Sequence, residues 1–315
     1  MPAVVTAFHM KTHPLPAAFA CFTMNWAQEV LAQGLYAFES TRNDNVRLFA
    51  RFQVSTGTNS FMIVFVLHAD ESQSKEDLMR EAESIRDFYL EQVGTRYYRP
   101  KTSRITLSSW IETLLLHGTE QKGPDAPTRA DLENCGVDKL TQFLGSSFSA
   151  GNYARSLTFG QTQETGKDWV PATVQMTAMM KAAVNRTRGA AYIQIDFVGG
   201  AVEKMRPDET PYPWRTSKSR LTLQVHHSID PSTAEEHKTN SLDMMSLLQE
   251  VTGVQDAYVN YLDLEPPQVP HQVSLEHRYF GRNAERMASI IAEYDPSRMF
   301  NSCNAMFPSL CPMSS

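Results

Sequence analysis

The sequence has no apolar run long enough to cross a membrane and no excess of positive charge. Its longest apolar stretch, residues 61–67, has the length of a β-strand, whereas a membrane-spanning helix needs about 20 apolar residues. Acidic residues outnumber basic ones, 35 to 29, and the formal net charge is −6. Because nucleic-acid binding depends on basic residues that neutralise phosphates, we expect neither nucleic acid nor a membrane span among its interactions.

The chain is also poor in cysteine and lacks the common nucleotide-binding motifs. Its irregular cysteine spacing, without any CxxC pair, favours free structural thiols over a zinc site or a disulfide framework. The four cysteines are Cys21, Cys135, Cys303 and Cys311. No GxGxxG or Walker A loop is present, which argues against Rossmann and P-loop sites, and no GxSxG elbow supports a hydrolase.

Size and patterning favour an α+β protein. The 315 residues suffice for one large or two smaller domains with a full core. Strand patterns occur in pairs separated by helix patterns, which predicts an antiparallel sheet backed by helices rather than strict βαβ alternation. Predicted strands span residues 4–11, 17–23, 45–54, 60–68, 190–197, 219–227 and 255–261. Predicted helices span residues 25–39, 74–93, 173–186, 233–251 and 283–293, with a helical or mixed segment at 106–116 and a surface loop at 121–129.

The last predicted strand carries the first candidate site. Side chains alternate along a strand, so Tyr258 and Asn260 are expected on one face and Tyr261 on the other. A phenol in a cleft can remove a proton from a substrate hydroxyl if a neighbour lowers its pKa, and an amide beside it can bind a carbonyl-rich ring. The alternative is ordinary packing, because tyrosines suit strands.

A loop rich in proline and aromatic residues is the second candidate. It follows Gly199-Gly200 and contains Tyr212, Trp214 and Arg215. Two glycines after a strand permit close approach of a ligand, and two prolines stiffen a loop that presents rings and an arginine to a small molecule. The alternative is an ordinary proline-rich connection.

The predicted strand at residues 219–227 alternates polar and apolar positions. Thr222, Gln224 and His226 share one face, which is typical of a wet cavity and equally of a solvated sheet face. His226 and His227 are adjacent, and neighbouring side chains on a strand point apart, so we expect no metal site that uses both.

Asn283 and Arg286 stand at the start of the last predicted helix. A helix N-terminus offers free N–H donors and the positive end of a dipole, which suits an anion or a polar ring edge. Simple capping by Asn283 is the alternative, and it is the one that this motif alone favours.

Several stretches stand in an order that is more informative than any of them alone. They are residues 257–263 (AYVNYLD), 279–283 (YFGRN) and 294–300 (YDPSRMF), preceded by residues 4–8 (VVTAF), 13–16 (HPLP) and 199–215. In this order they resemble the berberine bridge enzyme-like flavoproteins, a branch of the vanillyl-alcohol-oxidase family of FAD-linked oxidases. The resemblance covers nearly the whole chain.

This resemblance implies an FAD-dependent oxidase that transfers a hydride from a small organic substrate to the flavin, with O2 as the acceptor. It implies an antiparallel substrate domain at residues 17–252, between a first flavin-domain segment at 1–16 and a berberine-like return at 253–315. The alternative is a non-catalytic binding protein derived from such an enzyme, which does not hold FAD.

Site residues carry over from the family by position. They are Tyr258 and Tyr261 as catalytic residues, Thr222, Gln224, Arg215 and Trp214 for substrate, and Asn260, Asn283 and Tyr279 for the cofactor. Two positions depart from the family: Trp214 replaces the usual histidine before Arg215, and Thr222 cannot act as a general base.

The family anchors FAD through an N-terminal segment with a glycine-rich pyrophosphate loop and a histidine, often with a cysteine, bonded to the ring. Nothing in the 315 residues supplies these groups. We therefore expect either a fragment of an oxidase or a natural short form that does not hold FAD alone.

Overall fold

The computed structural model of the chain describes residues 17–25, 27–40, 47–55, 60–100, 103–108, 152–187, 191–198, 202–216, 221–228, 234–261, 263 and 273–297. Some predictions lie outside these described residues: the strand at 4–11, the loop at 121–129, the Gly199-Gly200 pair and residues 298–300.

An antiparallel sheet of seven strands forms the centre of the described fold, in the order β4-β1-β3-β2-β6-β7-β5. The strands are β1 (Ala17–Asn25), β2 (Leu48–Ser55), β3 (Ser60–His68), β4 (Arg104–Ser108), β5 (Asn152–Phe159), β6 (Ala191–Phe197) and β7 (Leu221–Ser228). The described helices are α1 (Gln28–Ser40), α2 (Lys75–Val93), α3 (Thr162–Thr165), α4 (Val170–Thr187), α5 (Ala234–Thr252), α6 (Leu275–Phe280) and α7 (Ala284–Tyr294). None of these described helices combines the length and the apolar character that a membrane crossing requires. The predicted α+β class is confirmed.

The two faces of the sheet differ in character. One face contacts α2, α4 and α5 and forms the core, because alternate residues such as Phe52, Ile193 and Leu223 are apolar and fully buried. On the opposite face β1 and β3 carry a small apolar cluster that includes Phe19 and Val64, whereas β6 and β7 carry polar residues. The candidate site lies on this polar half.

Helix α2 forms where its sequence predicts it. The Ser74 hydroxyl accepts a hydrogen bond from the Asp77 backbone N–H at 3.0 Å, which caps the first turn. Gly94 follows the last residue with a φ of 92°, a conformation that favours glycine. A stripe of buried apolar residues, among them Leu78 and Tyr89, turns the helix towards the sheet.

Two strands and one helix start differ from prediction. Residues 104–108 form β4 and pair with β1, although the sequence predicts a helical or mixed segment from residue 106. Strand β5 has no predicted counterpart, because Arg155 occupies a position on its core side and disguises the apolar alternation. Asn25 ends β1, and α1 begins only at Gln28, so Asn25 does not cap that helix.

The predicted strand at 255–261 is wrong. After Gly253, which has a φ of 71°, the chain runs along the outer edge of β5 and receives one backbone hydrogen bond there, from Thr158 N–H to Asp256 O at 2.8 Å. It then reverses, because the Tyr261 N–H donates to Tyr258 O at 2.9 Å across a four-residue turn. The segment is therefore an edge contact followed by a turn.

A buried ion pair fastens this C-terminal segment to the sheet. The Arg155 guanidinium on β5 donates to the Asp263 carboxylate and, through Nε, to Ser241 Oγ of α5 at 3.0 Å. Side-chain exposure is 0% for Arg155 and 1% for Asp263. The Tyr279 hydroxyl completes the junction by accepting from Asp263 N–H at 2.6 Å.

Replacing Arg155 by Met should destabilise the fold strongly, because the buried Asp263 carboxylate would lose the guanidinium that it contacts. We expect the free energy of unfolding to fall by about 3–5 kcal/mol, measured by urea denaturation. The control is Arg206→Met, which removes an exposed, solvent-screened pair with Asp208 and should change stability far less. Equal losses of unfolding free energy in the two variants would contradict a larger contribution of the buried pair to stability.

Candidate active site

A polar wall occupies the part of the sheet formed by β6 and β7. Adjacent strands bring matching positions side by side: Gln194 pairs with Gln224, and Asp196 pairs with Thr222. Thr222, Gln224 and His226 share one face of β7, as the alternation predicts, and are almost completely buried. The polar face of β6 was not predicted from the sequence. The same signal is present there, because polar residues occupy alternate positions: Tyr192, Gln194 and Asp196.

Asp196 is the centre of this wall. Its Oδ1 accepts from Arg51 Nε on β2 at 2.7 Å, while Oδ2 accepts from Gln194 Nε2 at 2.9 Å and from Gln224 Nε2 at 2.8 Å. The Gln224 carbonyl in turn accepts from Gln194 Nε2 at 3.0 Å and lies 3.0 Å from His226 Nε2. Asp196 and Gln224 thus belong to one connected hydrogen-bond network with Arg51, Gln194 and His226.

A row of aromatic rings borders the wall. Tyr192 stacks on His226 with centroids 4.4 Å apart and planes 10° apart. The row continues edge-on from His226 to Tyr261 at 5.3 Å, from Tyr261 to the tilted ring of Tyr258 at 5.8 Å, and edge-on from Tyr258 to Tyr212 at 5.5 Å. Offset and edge-to-face contacts of this kind fix ring orientation.

The turn at residues 258–261 brings together the two tyrosines that a strand would have separated. Their rings are neighbours, so the expectation that Tyr258 and Tyr261 face opposite ways is wrong, because the turn removes the strand alternation. The Asn260 amide nitrogen donates to the Tyr258 phenol oxygen at 2.8 Å, as a shared face predicts. Ser156 Oγ on β5 accepts from Tyr258 N–H at 3.0 Å and holds the turn against the sheet.

The wall keeps both phenols protonated. Burial, followed by the negative charge of Asp196, raises the pKa of Tyr258, and the same two causes raise the pKa of Tyr261 to about 12. The positive charge of Arg51 opposes the shift in the pKa of Tyr261 but does not outweigh it. Burial also raises the pKa of Tyr212. The base hypothesis requires a lowered phenol pKa, whereas both pKa values are raised here, so the role of Tyr258 or Tyr261 as a base stays a prediction.

Residues 257–305, which include the tyrosine-bearing turn, match the family model described as "Berberine and berberine like". This part of the chain is therefore similar to the C-terminal segment of berberine bridge enzyme-like proteins. The structural neighbours of the chain are oxidases of this FAD-linked family, as the sequence resemblance predicts. No curated protein matches the sequence closely enough to count as a relative.

Solved structures of the family share the fold. Wild-type BBE-like 1 of Physcomitrella patens superposes with a TM-score of 0.64 at 18% identity, over 91% of this chain and 53% of that one. Chitooligosaccharide oxidase gives 0.61 at 18%, over 93% and 55%, and a single-residue variant of berberine bridge enzyme gives 0.62 at 16%, over 92% and 55%. The chain therefore spans about half the length of the structures it matches.

Arg215, which is predicted to bind substrate, donates hydrogen bonds to groups of its own loop. Its guanidinium donates to Tyr212 O at 3.1 Å, Val202 O at 3.2 Å and Thr210 Oγ1 at 2.6 Å. The guanidinium carbon also lies 5.2 Å from the centre of the Tyr212 ring. Arg215 thus shapes the loop that presents Tyr212 to the aromatic row.

Trp214 joins that loop to the berberine-like segment. Its indole N–H donates to Ala257 O at 2.9 Å, and its ring packs on Gly281, where a Cβ would meet the ring at 3.0 Å. Gly281 has a φ of 48°, a conformation that favours glycine, and the absence of a Cβ also lets the Trp214 ring lie close to the backbone. Substrate contact by Trp214 stays a prediction, whereas its contact with this segment is direct.

The predicted cofactor residues differ in their hydrogen bonds within the protein and in their exposure. The Asn283 amide donates to Pro207 O at 2.8 Å and Thr210 O at 3.0 Å and makes no side-chain cap on α7. The Tyr279 hydroxyl bonds to the backbone of Asp263. Asn260 alone of the three is exposed. Their roles at the flavin stay predictions, and within the described residues no cluster of His, Cys, Asp and Glu is suited to a metal ion.

His226 should make stability depend on pH. Burial lowers its pKa from 6.5 to about 4. The unfolded histidine therefore takes up a proton at a higher pH than the folded one, so its stabilising contribution is present above pH 6.5 and is lost as pH falls towards 4. In His226→Phe we expect a smaller fall of unfolding free energy over this range, measured by urea denaturation at several pH values. The same slope in both proteins would contradict the assignment.

Proposed function

We propose that this chain forms the substrate side of the active site in an FAD-dependent oxidoreductase of the berberine bridge enzyme-like type. The observation that carries the proposal is the turn at 258–261, which lies in the berberine-like segment and directs Tyr258, Asn260 and Tyr261 to the polar wall of β6 and β7. When bound, FAD supplies the hydride acceptor for a small organic substrate, and O2 is the oxidant that we propose for the reduced flavin.

One described residue, Arg278, is suited to bind an anionic or carbonyl-rich group such as a flavin nucleotide. Arg278 is only 2% exposed, and its Nε and Nη2 have no hydrogen-bond partner among the residues that the structure describes. Buried guanidinium N–H groups without an acceptor are unfavourable, so this position favours an oxygen-rich ligand. The Arg278 backbone carbonyl accepts from Ala257 N–H at 2.9 Å, next to the turn that carries the tyrosines. Arg278 and the exposed Asn260 are the residues that we propose to contact FAD.

The tyrosines would bind and orient a substrate hydroxyl. The Tyr258 oxygen already accepts from Asn260, so its own O–H is left to donate. Because burial and Asp196 raise the phenol pKa values, proton removal by Tyr258 or Tyr261 is favoured only as pH rises. The half-buried rings beside the wall favour a cyclic substrate that combines apolar ring faces with hydroxyl groups.

The test is anaerobic flavin reduction by the full-length gene product. It is expressed in flavin-sufficient cells and mixed with a panel of hydroxylated cyclic compounds, with chitooligosaccharide and xylobiose included because structural neighbours are named for them. Bleaching of the oxidised-flavin absorbance by at least one compound, restored by O2, is the expected result. A full-length product that binds no FAD would favour the non-catalytic binding protein.

Tyr258→Phe and Tyr261→Phe in that full-length enzyme should separate orientation from proton removal. Each variant keeps the ring and loses the hydroxyl, and we expect flavin reduction to slow by about 10²-fold or more for the residue that accepts the proton. The loss of the alkaline rise in rate identifies that residue. Tyr36→Phe is the control, because its hydroxyl bonds Asp168 on the helical side. Unchanged rates in both site variants would remove tyrosine from the mechanism.

Arg278→Met should stabilise the flavin-free chain, in contrast to Arg155→Met. Removing a buried guanidinium whose Nε and Nη2 have no hydrogen-bond partner among the described residues should raise the free energy of unfolding by about 1 kcal/mol or more. In the full-length product the same variant should reduce the rise in Tm that FAD gives, because the oxygen-rich ligand loses its donor. Destabilisation without FAD, or an unchanged FAD-dependent rise, would contradict the assignment of Arg278 to the cofactor.

A further inference from the structure

The hydrogen bonds that run from Arg51 to His226 have a single possible direction. An arginine only donates and an ionised carboxylate only accepts, so the Arg51–Asp196 contact at 2.7 Å fixes one end. Asp196 Oδ2 is then an acceptor for the amide nitrogens of Gln194 and Gln224. The orientation of the Gln224 amide follows from this carboxylate and not from an arbitrary choice between its oxygen and nitrogen.

The fixed amide decides the protonation of the histidine. Because Gln224 directs its nitrogen to Asp196, its carbonyl oxygen is the atom that lies 3.0 Å from His226 Nε2. A carbonyl oxygen only accepts, so Nε2 carries the proton of the neutral ring and Nδ1 carries the lone pair. The ring plane is held by Tyr192 at 4.4 Å and by Tyr261 at 5.3 Å.

We propose that Asp196 is a positioning residue that sets the Nε2–H tautomer of His226 through the amide of Gln224. The burial that lowers the pKa of His226 agrees with a neutral ring. The importance of this tautomer for catalysis rests on the proposed function, in which His226 adjoins Tyr261 at the substrate side of the site. Fixing a histidine tautomer through a buried aspartate is also how serine hydrolases orient their base.

An isosteric substitution at Asp196 should exchange donors and acceptors along the hydrogen bonds that lead from Asp196 to His226. In Asp196→Asn the side-chain oxygen must still face Arg51, which places the new amide nitrogen where Oδ2 had been. Gln194 and Gln224 then rotate their amides to present oxygens to that nitrogen. Gln224 now offers its own nitrogen to His226 Nε2, which becomes an acceptor, so the proton moves to Nδ1. A merely structural role for Asp196 predicts no such inversion.

The experiment is nitrogen NMR of the full chain labelled with ¹⁵N-histidine, near neutral pH and without flavin or substrate. The His226 signals are identified by their loss in His226→Gln. The wild type should show the Nε2–H pattern, Asp196→Asn the Nδ1–H pattern, and the control Asp256→Asn, a carboxyl outside this network, the wild-type pattern. An Nδ1–H wild type, or an Asp196→Asn variant that keeps Nε2–H, would overturn the proposal.

A second variant covers the case in which Asp196→Asn does not fold, as judged by its near-UV circular dichroism. Gln224→Met keeps the length of the side chain and removes the amide, so His226 should show a mixture of tautomers; an unchanged, single Nε2–H form would overturn the proposal. Because the tautomer is measured without flavin, its failure leaves flavin reduction as an independent test of the proposed function.

Discussion

The buried contact between Arg155 and Asp263 is the constraint on which the position of the candidate site depends. The berberine-like segment has no strand ladder to the sheet among the described residues, and Asp256 supplies a single backbone acceptor to the edge of β5. Without a ladder, the register of the segment rests on the ion pair and on the Tyr279 phenol, which bonds the same aspartate. The turn with the two tyrosines lies just before Asp263, so its distance from the wall depends on this anchor together with the hydrogen bond from Tyr258 N–H to Ser156 Oγ.

The polar wall has a composition that stability alone does not favour. Replacing buried ionic and amide groups by apolar residues of similar volume is often neutral or stabilising, and the other half of the same sheet face is indeed apolar. Asp196 is tolerated because Arg51 and two amides satisfy it completely. Five polar side chains in one connected network, beside a row of rings, are not what stability alone favours, which agrees with a site for a ligand.

The sequence predicts elements well where local signals agree, as at α2, where Ser74, the apolar stripe and Gly94 all indicate the same helix. It fails where tertiary contacts decide: Arg155 on the core side hides β5, and Gly253 and the Tyr258–Tyr261 turn replace the predicted strand. The β7 half of the wall follows from alternation. The role of Asp196 does not, because its partners come from β2, β6 and β7, and a single sequence does not reveal which strands are neighbours.

The loop at 202–216 shows that residues typical of binding sites also have structural contacts. Arginine, tryptophan and asparagine are common in binding sites, yet Arg215, Trp214 and Asn283 donate mainly to carbonyls of this loop and of Ala257. Their effect is to hold two segments, distant in sequence, at a fixed separation. Tyr212, at one end of the aromatic row, lies on the loop, and its neighbour Tyr258 lies on the turn. These hydrogen bonds therefore help to set the position of Tyr212 relative to Tyr258, and the predicted contacts of Arg215, Trp214 and Asn283 with substrate or flavin stay predictions.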